Sequence, residues 1–248
     1  MPTSDQAPVV LITGAARRIG ASIARTLHAA GYNLALHFRS SDADMQALCA
    51  ELEAERADST LSLQADLTDV AAAPVLVEAA VARFGRLDGL VNNAASYYAT
   101  PLAGTTAEQW DHLLSTNARA PFFLALAAAK HLGESRGAII NIADIYAERP
   151  LPGHAVYSIS KAALVMATRA LAGELGPKVR VNAVAPGNVL WSTNPVKAET
   201  PDMVEERTAL ERQGSPEDIA AAVLYLLRDA TYTTGTVLPV DGGRLLHI

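Results

Sequence analysis

The 248-residue sequence predicts a doubly wound α/β fold around a parallel sheet of about seven strands. Three observations carry this reading. Short apolar runs alternate with helix-period stretches along the whole chain, the pattern of strand–helix–strand units. The first run, Val9–Ile12, is continuously apolar, as strands covered on both faces are. The first run opens onto a glycine-bearing turn that leads straight into a helix. Half of the residues are hydrophobic and 19% are charged, enough for a sizeable core. Residues 1–248 are therefore read as one domain.

The elements follow in order. Pro8–Ile12 is a short buried strand, and Thr13–Gly20 is the turn, with Gly14 and Gly20 six apart and Arg18 between them. A helix follows from Ile19 to Ala30, its face set by Ile19, Ile23, Ala24 and Leu27 and its stop by Gly31. Asn33–Phe38 is the second strand, residues 43–56 a helix, Leu61–Ala65 a strand and residues 70–84 a helix. Asp88–Val91 leads into Asn92-Asn93-Ala94-Ala95, and a long helical region covers residues 107–132. Ala138–Ala143 reads as a buried strand. A loop marked by Pro150, Pro152 and Gly153 separates it from a helix over Ala155–Leu175. Val179–Ala185 and Val237–Val240 are the last strands. Between them, residues 187–205 hold Trp191, Pro195 and Pro201 with weak periodicity, a loop long enough to act as a substrate lid. Ser215-Pro216-Glu217-Asp218 starts the final helix with cap, first-turn proline and acidic residues in order.

Charge and composition narrow the function. The net charge is −6 with no dense basic block, which argues against nucleic acid or an anionic membrane as partner. No apolar run approaches a membrane span, and the polar start of the chain has no basic leader, so a cytoplasmic protein is expected. Cys49 is the only cysteine and the six histidines lack metal-ligand spacing, so no metal is expected.

Candidate site residues fall where the predicted strands end, the crevice where an open parallel sheet takes its ligands. Gly14, Arg39, Asn93, Asp144 and Pro186 all lie there. The second strand ends His37-Phe38-Arg39-Ser40, with no carboxylate to bind a ribose 2′-hydroxyl. A guanidinium and a hydroxyl suit a 2′-phosphate instead, so the expected cofactor is NADPH. Asp66 and Leu67 follow the third strand; Asp66 reads equally as part of an adenine pocket or as the cap region of the next helix. Asn93 has an amide able to tie neighbouring backbone together, and Asn117 is an odd choice inside a helix. Tyr157 and Lys161 are four apart on one helix face, where an ammonium would lower a phenol from its free pKa of about 10.

Thr13–Gly20, Asn92-Asn93-Ala94-Ala95, Asn117, Tyr157-Ser158-Ile159-Ser160-Lys161 and Pro186-Gly187, in this order, resemble the short-chain dehydrogenase/reductase family across nearly the whole chain. The resemblance implies a three-layer, Rossmann-like NADP-binding domain and a homotetramer. It makes Tyr157 the general acid, gives Lys161 the nicotinamide ribose, and has Asn117 anchor a relay water. It implies a cofactor site built from Gly14, Arg17, Arg18, Ile19, His37, Arg39, Ser40, Asp66, Leu67, Asn93, Ala94, Ala95, Tyr157, Lys161, Pro186 and Gly187. The departures point further. Asp144 stands 13 residues before Tyr157, where the family usually has serine, and a carboxylate there would repel the oxyanion of a reduced ketone. With Arg18 in the turn and an aromatic at Tyr97, this is similar to the pteridine reductases. That similarity implies a pterin substrate, folate metabolism, and substrate contacts from Arg18, Tyr97, Asp144, Tyr157 and Trp191. Ala95, where a serine is found in some relatives, and tyrosine in place of phenylalanine at 97 are departures from that subfamily. A carbonyl or 3-oxoacyl-thioester reductase on the same scaffold is the alternative.

Overall fold

The computed structural model describes residues 7–189 and 200–246. Their strands are β1 (Val9–Ile12), β2 (Asn33–Phe38), β3 (Thr60–Gln64), β4 (Gly89–Asn92), β5 (Ala138–Ile142), β6 (Arg180–Pro186) and β7 (Val237–Val240). They form one seven-stranded sheet in the order β3-β2-β1-β4-β5-β6-β7, every pair parallel. The helices are α1 (Arg18–Ala29), α2 (Asp42–Glu55), α3 (Ala72–Phe84), α4 (Ala107–Leu114), α5 (Ala120–Ser135), α6 (Ala155–Leu175), α7 (Pro201–Glu206) and α8 (Pro216–Leu224). The order of strands reverses between β1 and β4, which opens a crevice at their C-terminal ends.

Successive strand residues point to opposite faces, so a residue of a strand between two helical layers must be apolar or have its polar atoms bonded internally. β1 shows this residue by residue. Val10 and Ile12 pack with Ile23 and Leu27 of α1 and with Ile219 and Val223 of α8. Val9 and Leu11 pack with Leu76 and Val77 of α3 and with Leu124 and Ala128 of α5. Removing all but the Cβ of such a side chain costs about 2–5 kcal/mol, so each face is held by many independent contributions.

Helix ends follow local chemistry. At α8, Ser215 Oγ accepts the Asp218 N–H while the Asp218 carboxylate accepts the Ser215 N–H, a reciprocal cap. Thr106 and Gln109 close the start of α4 in the same way.

Two stretches differ from the sequence expectation. The helical region expected over 107–132 is two helices separated by a π turn over Ser115–Arg119, and it runs on to Ser135. The turn centres on Asn117, whose amide bonds outside the helix and draws the backbone off its regular path. The expected loop over 187–205 contains the start of α7, where Thr200 accepts the Met203 N–H as N-cap. Trp191 and Pro195 lie outside the described residues.

Candidate active site

The C-terminal ends of the strands enclose a cleft of about 1340 Å³, to which every strand from β1 to β6 contributes through the residues that follow it. Its floor begins at the turn after β1. Gly14 has φ +61, and a Cβ there would lie 2.9 Å from Ala94 Cα. A Cβ at Gly20 would meet the Gly14 carbonyl oxygen at 2.2 Å. Both positions therefore exclude a side chain. Arg18, between them, is itself left-handed at φ +53, the conformation that glycine adopts without strain. Its guanidinium is exposed and lines the cleft, as does Ile19.

Asn93 at the end of β4 holds this turn from one side, donating from Nδ2 to the carbonyls of Thr13 and Gly14 at 2.9 Å each. Thr13 Oγ1 completes the tie by accepting the N–H groups of Asn93 and Ala94, both at 3.0 Å. Ala94 and Ala95 continue the wall.

The ends of β2 and β3 form the next part of the rim. Arg39 and Ser40 are exposed and face the cleft. Arg17 also lines it, but its guanidinium is paired with Asp44 of α2. His37 is only 2% exposed and bonds backbone on both sides of the ring. Asp66 accepts the Thr68 N–H and hydroxyl, which hold its carboxyl below the usual range; the cap position of α3 is Ala71, not Asp66. Leu67 is buried beside it.

The reacting groups stand at β5 and α6. Asp144 follows β5, and its Oδ1 accepts the Tyr146 N–H at 2.9 Å. Its Oδ2 accepts the hydroxyl of Tyr157 at 2.6 Å. Tyr157 is buried in the first turn of α6, and Lys161 sits one turn later with Nζ donating to the Ile142 carbonyl at 2.8 Å. Burial pushes the Asp144 carboxyl up, against the pull of the Tyr157 hydroxyl, the Tyr146 N–H and the Lys161 charge. Burial likewise drives Tyr157 well above 10, and the Asp144 charge drives it further.

That corrects the expectation of a phenol lowered by its lysine. The Lys161 nitrogen lies 5.8 Å from the Tyr157 ring centre and is spent on a backbone carbonyl, whereas the carboxylate touches the hydroxyl directly. Among the protein's own groups, the nearer negative charge wins. Lys161 is itself lowered to about 8 by burial, partly offset by Asp144.

Asn117 is buried, and both polar atoms of its side chain are bonded. Oδ1 accepts the Ser96 N–H, and Nδ2 donates to the Ser96 carbonyl and to Ser160 Oγ. Its amide thus clamps the loop after β4 to α6. Tyr97, carried on that loop, stacks on His154 with centroids 5.0 Å apart and 11° between planes. It meets the Tyr157 ring edge-on at 4.8 Å. Pro186 and Gly187 close the far side after β6, with Gly187 packed against Asp241.

Several cleft residues escaped the sequence. His154 gives no signal beyond preceding a helix. Tyr146, Arg149, Arg207 and Arg244 line the cleft from turns whose spacing carries no motif. Among the described residues no group of histidine, cysteine and carboxylate side chains is arranged to hold a metal ion. None of the described helices is long and apolar enough to cross a membrane.

The donor set fits a dinucleotide. The glycine turn brings a helix N-terminus to the cleft without side chains in the way, and the rim beyond β2 carries exposed cationic and hydroxyl groups. Comparison with known proteins agrees. Residues 14–244 match the family model described as enoyl-(acyl carrier protein) reductase. The chain is 38% identical to pteridine reductase 1 of Leishmania tarentolae, over 98% of each chain. It is 41% identical, over 97% of each chain, to a Streptomyces violaceoruber protein named as a ketoacyl reductase of the granaticin polyketide synthase. It is 35% identical to a 3-oxoacyl-(acyl-carrier-protein) reductase of Staphylococcus aureus, over 94% of this chain and 96% of that one. With the parallel sheet, the glycine turn and the tyrosine–lysine pair of α6 already in view, the chain belongs to the short-chain dehydrogenase/reductase family, oxidoreductases that work with a nicotinamide dinucleotide.

Proposed function

We propose that this is a cytoplasmic, NADPH-dependent pteridine reductase that converts an oxidised pterin or dihydropterin, and dihydrofolate with them, to the tetrahydro form. The observation that carries the reading is the 2.6 Å hydrogen bond from Tyr157 to Asp144 beneath the ring of Tyr97. A reduced nicotinamide supplies the hydride when bound. Tyr157, protonated throughout the physiological range, supplies the proton to a ring nitrogen. Asp144 accepts N–H donors on the heterocycle or, through its contact with the hydroxyl, tunes the acidity of Tyr157. Lys161, on the same helix face as Tyr157, is suited to the nicotinamide ribose, and Tyr97 offers an exposed aromatic face for a flat ring. Arg18 is suited to contact both cofactor phosphate and pterin. Exposed Arg39 and Ser40 support NADPH over NADH. The Leishmania relative is named a pteridine reductase, which supports the same substrate class.

The ketoacyl and 3-oxoacyl relatives favour a second reading, reduction of a carbonyl. One experiment separates them: NADPH oxidation measured against oxidised pterin, dihydropterin, dihydrofolate and a 3-oxoacyl thioester. Turnover of the pterins, lost by about 10²-fold or more in Asp144→Ser with NADPH affinity unchanged, supports the proposal. Preference for the thioester, or dihydropterin turnover that survives Asp144→Ser, refutes it.

A homotetramer is part of the same proposal. Its support is apolar surface on two helices: Phe122, Phe123 and Leu126 of α5, with Ile159 and Met166 of α6, are all exposed.

A further inference from the structure

His37 is a buried imidazole that the chemistry above does not use. It occupies β2 one residue before the strand ends, and each of its polar atoms is engaged. Its carbonyl oxygen accepts the Ala15 N–H at 2.9 Å. Its Nδ1 lies 3.2 Å from the Gly14 nitrogen, and its Nε2 lies 3.1 Å from the Ala65 carbonyl oxygen. A backbone N–H only donates and a carbonyl only accepts. The ring is therefore neutral, with its proton on Nε2 and a lone pair on Nδ1.

We propose that His37 is a positioning residue for the cofactor: its Nδ1 fixes the Gly14 peptide and so aims the glycine turn that receives the dinucleotide diphosphate. Gly14 is gripped through both of its backbone polar groups. His37 takes its N–H from the β2 side, while Asn93 donates to its carbonyl from the β4 side. Gly14 is also the residue with φ +61 and no room for a side chain. Because the N–H groups of residues 14 and 15 both point to His37, neither serves a ligand. The unpaired N–H groups of the first turn of α1 are left for that task. Burial pushes the imidazole pKa below its ordinary value, against the Ala65 carbonyl and the Asp66 charge, consistent with the neutral tautomer the geometry requires.

The inference rests on the turn being a dinucleotide site, and the test separates the two. NADPH and NADH are titrated by fluorescence into wild type and into His37→Asn, His37→Gln and His37→Leu, with thermal unfolding measured alongside. Asparagine sets its amide oxygen near the Nδ1 position, whereas glutamine sets its amide near Nε2. The asparagine variant should keep cofactor affinity within about threefold. The glutamine and leucine variants should lose roughly tenfold, read in KM with kcat at saturation nearly unchanged. If the leucine variant does not fold, the asparagine–glutamine contrast decides. Wild-type affinity in the glutamine variant, equal losses in asparagine and glutamine, or failure of all three to fold overturns the inference. A wild-type preference for NADH removes the NADPH reading and leaves the His37 contrast intact.

Discussion

Replacing Lys161 with methionine should stabilise the protein at neutral pH while disabling it. The lysine is buried and its pKa is lowered from 10.5 to about 8. At 1.36 kcal/mol per pH unit, that gap means a cost of about 3 kcal/mol for keeping the ammonium charged in the fold. The bond to the Ile142 carbonyl returns roughly 1 kcal/mol, so Lys161→Met should gain about 2 kcal/mol at pH 7. At 2–4 °C per kcal/mol, that is a rise of about 4–8 °C in Tm. The direction with pH follows from proton binding. A lysine whose folded pKa is depressed binds fewer protons in the fold than in the unfolded chain between pH 8 and 10.5. Wild type therefore gains stability as pH rises through that window, and the full penalty is present below it. The variant has no such group, so its advantage should shrink above pH 8, vanish at about pH 9.5 and reverse by about 1 kcal/mol near 10.5. Urea unfolding of both proteins at pH 7, 8.5 and 10 measures the difference, and the other titrating groups largely cancel in it. A variant less stable than wild type at pH 7, or an advantage that does not change with pH, would refute the reasoning. Turnover should meanwhile fall by about 10²-fold or more.

Arg39→Asp should weaken NADPH binding by about ten- to a hundredfold, the worth of one charge-assisted bond of about 1.5–3 kcal/mol, and shift preference toward NADH. An unchanged NADPH/NADH ratio of kcat/KM would mean that the 2′-phosphate is read elsewhere. Tyr97→Ala should raise KM for the pterin about tenfold with KM for NADPH unchanged, since it removes the exposed face stacked on His154; steady-state kinetics with each substrate varied in turn would show it. Phe122→Glu combined with Met166→Glu should break the proposed tetramer into smaller species in sedimentation velocity, because both residues are exposed apolar groups on α5 and α6. A wild type that already sediments as a monomer would end that proposal.

The fold was legible because its signals are local. A strand covered on both faces is buried throughout: β1 is apolar at every position, and β4 and β5 depart only at Asn92 and Asn141, whose amides bond each other. The limits of α6 match the reading at Ala155 and Leu175, since the proline-bearing loop before it and Gly176 after it mark both ends. The π turn after α4 was not legible, because it depends on Asn117 finding Ser96 and Ser160, 21 and 43 residues away. Distance in the chain also hid His154, which matters through Tyr97, and the pairing of Arg17 with Asp44. Sequence spacing showed which groups share a face or a sheet edge. It could not show which of two partners would claim an atom.

The tyrosine illustrates what that distinction does to the chemistry. Four-residue spacing brings Lys161 to the same helix face as Tyr157, and on that basis alone the phenol should be acidified. The ammonium instead reaches past the ring to the end of β5, and the carboxylate that follows the same strand bonds the hydroxyl. A phenol held protonated by a neighbouring carboxylate is a proton donor whose conjugate base is disfavoured while that carboxylate stays charged. Donation becomes easier when the carboxyl group is itself neutralised or engaged by donors on the substrate. A ketone oxygen brings no such donor, whereas an amino-substituted nitrogen heterocycle brings several. On the proposed pterin reading, the same contact that raises the phenol would couple proton release to the arrival of N–H groups, and Asp144→Asn tests that coupling apart from shape. An amide of equal size removes the charge that holds the phenol up, so the phenol pKa should fall, visible as a lower midpoint for tyrosinate absorbance, even as pterin turnover is lost.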